Sequence, residues 1–339
     1  MSGVELRTVG AGEGEQRLDR WFRKHYPELS FGRLAKLLRT GQVRVDGKRA
    51  ETSTRLVEGQ AIRVPPLEGH GRTGSQPAER RPAPPLSEAE AEALRARILF
   101  KDDWLIAIDK PAGLAVQGGS GQTQHLDAML DALMFEAVER PRLVHRLDRD
   151  TAGVLVLART AEAARQLGEA FQREGGGDGA RKIYWALVAG VPPKRRSELD
   201  LPLGKAGAPG REKVRTDVAD AKSARTRYHV IDSHARKASF VMLRPLTGRT
   251  HQLRVHMAAL GCPILGDGKY GGRQSFLERP ALPKQLMLLA RELAVPHPED
   301  GTTVRFTAPV PPHFAEAMAA LRFDPSGPAL ERAAEWLEG

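Results

Sequence analysis

Leu143-Val144-His145-Arg146-Leu147-Asp148-Arg149-Asp150-Thr151-Ala152-Gly153-Val154-Leu155-Val156-Leu157 passes from a dense cluster of charge to an unbroken apolar run. The apolar end reads as a buried strand. Ahead of it Arg146 and Asp148 stand at i and i+2, so in extended backbone both project to one side. A carboxylate beside guanidinium groups is favoured in its charged form, as a nucleophile requires. Ala152 and Gly153 leave room for close backbone approach or an unusual turn. A charged surface loop with incidental ion pairs reads the same way, so the segment alone leaves its role open.

Outward from this stretch, short strands alternate unevenly with a few helices. Trp104–Ile108 and Tyr184–Val188 read as strands, and Thr160 as the cap of a helix to about Phe171. Ser87 is expected to cap a short helix through Ala96, and a glycine run at Gly175, Gly176 and Gly177 reads as a loop. Mixed elements of this kind predict an α+β fold with a mixed, largely antiparallel sheet, rather than a doubly wound parallel one.

With 339 residues the chain exceeds one small domain. Cys262 is the single cysteine, which excludes an internal disulfide and a cysteine metal site and fits a reducing cytoplasm. No signal-like or membrane-spanning run is found, so no membrane association is expected. The net charge of +10 favours a polyanionic partner. Residues 17–65 carry 12 Lys/Arg against 5 Asp/Glu, so most of that charge is concentrated in one small module. There, Leu18, Trp21 and Phe22 mark one helix. Ser30 is the expected cap of a second helix, in which Leu34, Leu37 and Leu38 form the apolar face and Gly41 the end. Arg33, Lys36 and Arg39 share another face of that second helix and are candidate RNA contacts. Gln42–Lys48, with Asp46-Gly47 at its turn, reads as a hairpin. The expected division is a flexible N-terminus (1–16), the basic module (17–66), a Pro- and Gly-containing linker (67–93), a larger domain (94–325) and a C-terminal tail (326–339) that reads as a loosely attached helix.

Arg17-Leu18-Asp19, Ser30, Leu37 through Gly47, Gly59 and Ile62 resemble an S4 domain, a small αL-type RNA-binding module. His145-Arg146-Leu147-Asp148 with Thr151 and Gly153 resembles the signature of the RluA-type pseudouridine synthases. Further blocks occur in family order. They are Asp109-Lys110-Pro111 with Gly113, then Gly118–Gly121, then Lys182 to Gly190 around Tyr184. Last comes Thr247 to His256 around Arg249, His251 and Arg254, trailed by Gly266-Asp267 and Tyr270-Gly271. An S4 module ahead of such a catalytic domain is an arrangement that several family members share.

The resemblance implies that Asp148 attacks the nucleoside, that Tyr184 lies against the flipped uracil and assists proton transfer, and that Arg254 pairs with Asp148. Arg146 would fill the stack or brace the flipped nucleotide, with Lys182, Arg249 and His251 as further RNA contacts. Pseudouridylation breaks the C1′–N1 bond, turns the base and joins C5 to C1′. Nothing is oxidised and no group is donated, so no cofactor and no metal is expected. The expected partner is ribosomal RNA, as 23S rRNA or a pre-50S particle, bound by a monomer. Within the family the wording is most similar to the C type of large-subunit synthase. A D-type or tRNA enzyme, or a non-catalytic ribosome-assembly factor, are the alternatives. Two positions depart from the family pattern: Ala152 stands where serine is usual, and Leu289 where histidine is usual.

Overall fold

The computed structural model describes residues 4–27, 29, 31–67, 86–118, 124–173, 179–207 and 213–338. The chain divides into two compact units, Met1–Arg81 and Pro82–Gly339. No helix among the described residues is long and apolar enough to cross a membrane.

In the first unit β1 (Glu5–Thr8), β2 (Arg44–Val45), β3 (Lys48–Arg49) and β4 (Ala61–Val64) form an antiparallel sheet in the order β1-β4-β2-β3. Helices α1 (Leu18–His25) and α2 (Phe31–Arg39) bury Trp21, Phe22, Leu34 and Leu38 in one cluster with Ile62 and Val64. Gly41, at φ +70°, ends α2, and Asp46 and Gly47 both adopt positive φ at the hairpin turn, as a two-residue hairpin turn requires. Ser30, the expected cap of α2, lies outside the described residues. The N-terminal segment corrects the expectation of a flexible tail. β1 pairs with β4 from Glu5↔Val64 to Thr8↔Ala61, and Glu13 accepts hydrogen bonds from Trp21 Nε1 at 3.1 Å and Lys24 Nζ at 2.6 Å. Its polar composition is that of an exposed edge strand rather than of disorder.

The second unit begins its regular structure with α3 (Glu88–Arg95), inside the stretch expected to be linker. Ser87 and Glu90 close a capping box on that helix. Strands β5 (Ile98–Lys101), β6 (Leu105–Lys110), β7 (Arg142–Leu143), β8 (Ala152–Ala158), β9 (Arg181–Ala189) and β10 (Arg196–Asp200) follow. α4 (Leu126–Met129) lies between β6 and β7, and α5 (Ala161–Gln172), capped by Thr160, between β8 and β9. A separate hairpin, β11 (Gly204–Ala206) and β12 (Lys213–Arg215), precedes β13 (Arg225–His234), β14 (Ala238–Pro245) and helix α6 (Gln252–Ala259). The chain closes with β15 (Leu288–Pro296), β16 (Thr303–Thr307), α7 (Pro312–Ala320) and α8 (Pro328–Glu338).

The main sheet, of ten strands among the described residues, runs β10-β13-β14-β9-β15-β8-β6-β5, with β16 on β15 and β7 on β8. All its pairings are antiparallel except β8 with β15. The expected α+β architecture is therefore observed. The run in β8 is apolar without alternation because both faces of the strand are covered. Val154 and Val156 enter the core that contains α5 and α6, while Leu155 and Leu157 enter the one that contains α3 and α4. The C-terminal tail is also corrected. Helix α8 buries Ala333 and Leu337 completely, and the Arg244 guanidinium donates to the Leu337 carbonyl. Small apolar residues spaced along a polar helix hid this packing face.

Candidate active site

Between β7 and β8, Arg146 is exposed, Leu147 buried and Asp148 half-buried, and all three line one cavity. Backbone contacts fix the loop. The Thr151 N–H donates to the Asp148 carbonyl at 3.1 Å, and the Arg149 carbonyl accepts from the Gly113 N–H at 2.9 Å and from Lys110 Nζ at 3.0 Å. Lys110 is wholly buried and also donates to the carbonyls of Pro111 and Leu114. Burial pulls its amine down to about 8, opposed by the charges of Asp150, Asp148 and Asp109. On the other flank His145 Nε2 accepts from the Val156 N–H at 2.9 Å, and its ring stacks on Phe171. Burial, helped by Lys182, pushes this imidazole down to about 3, so His145 is a neutral acceptor that ties the loop to β8.

Gly153, at φ +117°, is where β8 meets β15. A Cβ there would lie 2.2 Å from the Ala290 carbonyl oxygen, so only glycine admits the contact. One residue earlier, Ala152 pairs with Leu289 in the parallel ladder. The two departures from the family pattern are thus direct neighbours.

Helix α6 supplies the cation. Its residues Gln252 to Met257 are all buried, polar ones included. Gln252 satisfies itself through the Thr247 hydroxyl, the Arg249 N–H, the Arg225 carbonyl and the Thr226 hydroxyl. His256 bonds Thr226 and the Leu201 carbonyl, a structural role away from the site. Arg254 Nη1 lies 3.7 Å from Asp148 Oδ2, so the expected pairing exists, but it is not this arginine's main one. Nε and Nη2 of Arg254 both bond the wholly buried carboxylate of Asp267, each at 2.8 Å. Asp267 Oδ1 further accepts the Lys269 and Tyr270 N–H groups, and Arg254 packs over the Tyr270 ring. Asp267 and Tyr270 stand within the Gly266-Asp267 and Tyr270-Gly271 blocks, but nothing in their spacing marks which partner each takes.

His251 caps α6 in the left-handed region, at φ +53°, with Nδ1 2.6 Å from the Tyr270 hydroxyl and Nε2 3.8 Å from Asp148. Such strain in a non-glycine residue recurs at functional sites. Burial lowers its basicity and the Asp148 charge opposes this. Tyr184, on β9, faces the same space. Burial raises its phenol far above the usual range, with the negative charge of Asp148 adding to the effect, so it is held protonated.

Asp148, Tyr184, His251 and Arg254 line one cavity of about 600 Å³, together with Arg146, Lys182 and Arg249. That volume suits a nucleoside-sized ligand. Lys182 lies 4.9 Å above the Phe171 ring, and burial lowers its amine to about 8. Arg249 Nε donates to the Ser223 carbonyl. Among the described lining residues Asp148 is the single carboxylate, set among Arg146, Arg149, Lys182, Lys205, Arg249 and Arg254. Arg33, Lys36 and Arg39 are not part of this site. They are exposed together on α2 of the first unit.

The RNA pseudouridylate synthase family model matches residues 104–259. The chain is 34% identical over 322 residues to ribosomal large subunit pseudouridine synthase C of Escherichia coli (strain K12), covering 94% of this chain and 97% of that protein. It belongs to the RluA-type family of RNA pseudouridine synthases and is an isomerase that acts on RNA. Ribosomal large subunit pseudouridine synthase C of Yersinia pestis is 35% identical over 94% of this chain and 96% of its own length. The mitochondrial RNA pseudouridine synthase 4 of Arabidopsis thaliana is 38% identical over 74% of this chain and 59% of its own length. Among solved structures, human RNA pseudouridylate synthase domain containing 4 superposes with a TM-score of 0.57 at 29% identity, covering 70% of this chain and 98% of that one.

Proposed function

We propose that this enzyme converts uridines of large-subunit ribosomal RNA to pseudouridine, with Asp148 as the nucleophile. The observation that carries the assignment is the single carboxylate of Asp148 in a cavity whose other charged walls, among the described residues, are cations. A polyanionic substrate is drawn to such a cavity, and Asp148 is the group in it that can attack carbon. The uridine leaves its stack to reach it, at a cost of a few kcal/mol, which phosphate contacts offset. Arg254 aims and neutralises Asp148, and Tyr184 lies against the flipped base as an intact phenol. Arg146, exposed beside Asp148, braces the flipped nucleotide, with Lys182, Arg249 and His251 as further RNA contacts.

The substrate assignment, 23S rRNA or a pre-50S particle, rests on likeness over nearly the whole chain to proteins named for the large ribosomal subunit. The first unit, read as an S4 domain, would grip structured RNA through Arg33, Lys36 and Arg39. A monomer acting in the cytoplasm completes the proposal.

The test is pseudouridine mapping of total RNA from cells with the gene, without it, and with Asp148→Ala in its place. Loss of the same 23S sites in the last two, with RNA binding by the purified variant retained, is expected. Modification that survives Asp148→Ala in the absence of every paralogue would overturn the assignment.

A further inference from the structure

A second cavity, of about 570 Å³, meets the first at Asp148, Arg149, His251 and Arg254. Its other walls are Asp150, which is paired with Arg149, and three separate segments: Ala112 and Gly113 after β6, Gly266, Gly268 and Lys269 after α6, and Lys284 to Leu286 ahead of β15. The two cavities differ in chemistry. The first has Phe171, Tyr184, Val116 and Leu288 among its walls, suited to a planar base. The second has no Phe, Tyr or Trp among its described walls, but backbone at Gly113, Gly266 and Gly268 and the amines of Lys269 and Lys284.

Neither lysine makes an ion pair among the described residues, whereas Arg149 is bound to Asp150 and Arg254 to Asp267. Partial desolvation lowers the amine of the otherwise exposed Lys269, and the neighbouring charges of Arg254 and Lys213 add to this, while Asp148 and Asp267 oppose it. A bound anion would relieve that repulsion.

The reacting nucleotide adds a geometric requirement. Whether Asp148 attacks the base or the sugar carbon, the ribose must sit beside it, and the base occupies the apolar-walled cavity. The phosphates, one ribose removed, must leave through another opening next to Asp148. We propose that the second cavity receives a phosphodiester flanking the flipped uridine, with Lys269 and Lys284 as its cationic grip. The proposal rests on the assignment of Asp148 as nucleophile given above.

The experiment is a double-mutant cycle between protein and RNA. An oligoribonucleotide containing a uridine that the wild-type enzyme converts is made with single methylphosphonates, one neutral linkage at a time. Affinities are measured for the wild type and for Lys269→Ala/Lys284→Ala, both residues being exposed. A neutral linkage next to the target uridine is expected to weaken wild-type binding roughly tenfold and the double variant hardly at all. The variant's slope of log affinity against log salt should be shallower by roughly 1 per lysine, and Lys269→Arg/Lys284→Arg should restore both readouts. Additive penalties at every linkage would overturn the proposal, as would binding of inorganic phosphate unaccompanied by any linkage effect. Absence of pseudouridine from every RNA treated with wild type would instead sink the nucleophile assignment, so the two failures are distinguishable.

Discussion

Arg254 gives two nitrogens to Asp267, at 2.8 Å each, and turns only its third toward Asp148, at 3.7 Å. The two-point bond fixes the guanidinium plane, and with it the position from which Nη1 faces Asp148. It also provides a permanent counter-charge. Were Asp148 to lose its charge in the proposed attack, Arg254 would still have Asp267 as a partner.

Asp267→Asn breaks this pair from one side. Leaving a buried arginine without its partner costs about 3–5 kcal/mol of stability. Chemical denaturation should show that loss, and single-turnover pseudouridine formation should fall in the fraction that remains folded. A variant with wild-type stability would show that the pair does not hold the site.

Lys182 makes alkaline pH informative. Its amine sits at about 8 rather than the ordinary 10.5, so the cavity loses a cation as pH rises through 8. RNA affinity should decline from there, and Lys182→Arg, which stays charged, should postpone the decline to higher pH. Stability moves the other way. Between pH 8 and 10.5 the unfolded chain holds the lysine proton and the folded one does not, so this group makes stability rise with pH. Equal pH profiles of RNA binding for wild type and Lys182→Arg would refute the assignment.

His145 acts at the acid end. The folded protein keeps its imidazole neutral down to about 3, against 6.5 in an ordinary histidine. Between those values the unfolded chain binds more protons, so stability is complete above pH 6.5 and is lost as pH falls toward 3. One such proton changes stability by about 1.4 kcal/mol per pH unit. His145→Gln has no proton to gain, and denaturation between pH 6.5 and 4 should show a slope shallower by about that amount.

Ala152 and Leu289 should behave as a coupled pair. Leu289 is completely buried, so Leu289→His alone places a polar ring where no partner waits, at about 1–3 kcal/mol. Ala152→Ser added to it offers a hydroxyl on the adjoining strand. The double variant should recover about 0.5–1.5 kcal/mol of the loss. Strict additivity of the two single changes would show that the departures arose independently.

Much of this architecture could be read from periodicity. Buried β8, the caps at Ser87 and Thr160 and the Asp46-Gly47 hairpin follow from local rules that tertiary structure did not override. The grouping of Asp148, Tyr184 and Arg254 could not be derived locally, because their elements meet only through sheet order; it came from resemblance. What escaped altogether was partnership. Nothing near Arg254 in sequence distinguishes Asp267 from Asp148 as its main acceptor, and nothing in the polar opening residues marks β1 as a paired edge. The packing of helix α8 is hidden for a related reason: alanines that bury completely look indifferent in a sequence.

The position of β15 bears on how the molecule is made. This strand, at Leu288–Pro296, inserts between β8 and β9, although it is synthesised more than a hundred residues after β8. Until it emerges from the ribosome, the strand carrying the Asp148 loop has an open edge, and Gly153 lacks the carbonyl it was shaped to meet. Such an edge invites pairing with other chains. Completion of the site therefore waits for nearly the whole chain, and an enzyme read as serving ribosomes depends on a ribosome finishing it before it can act.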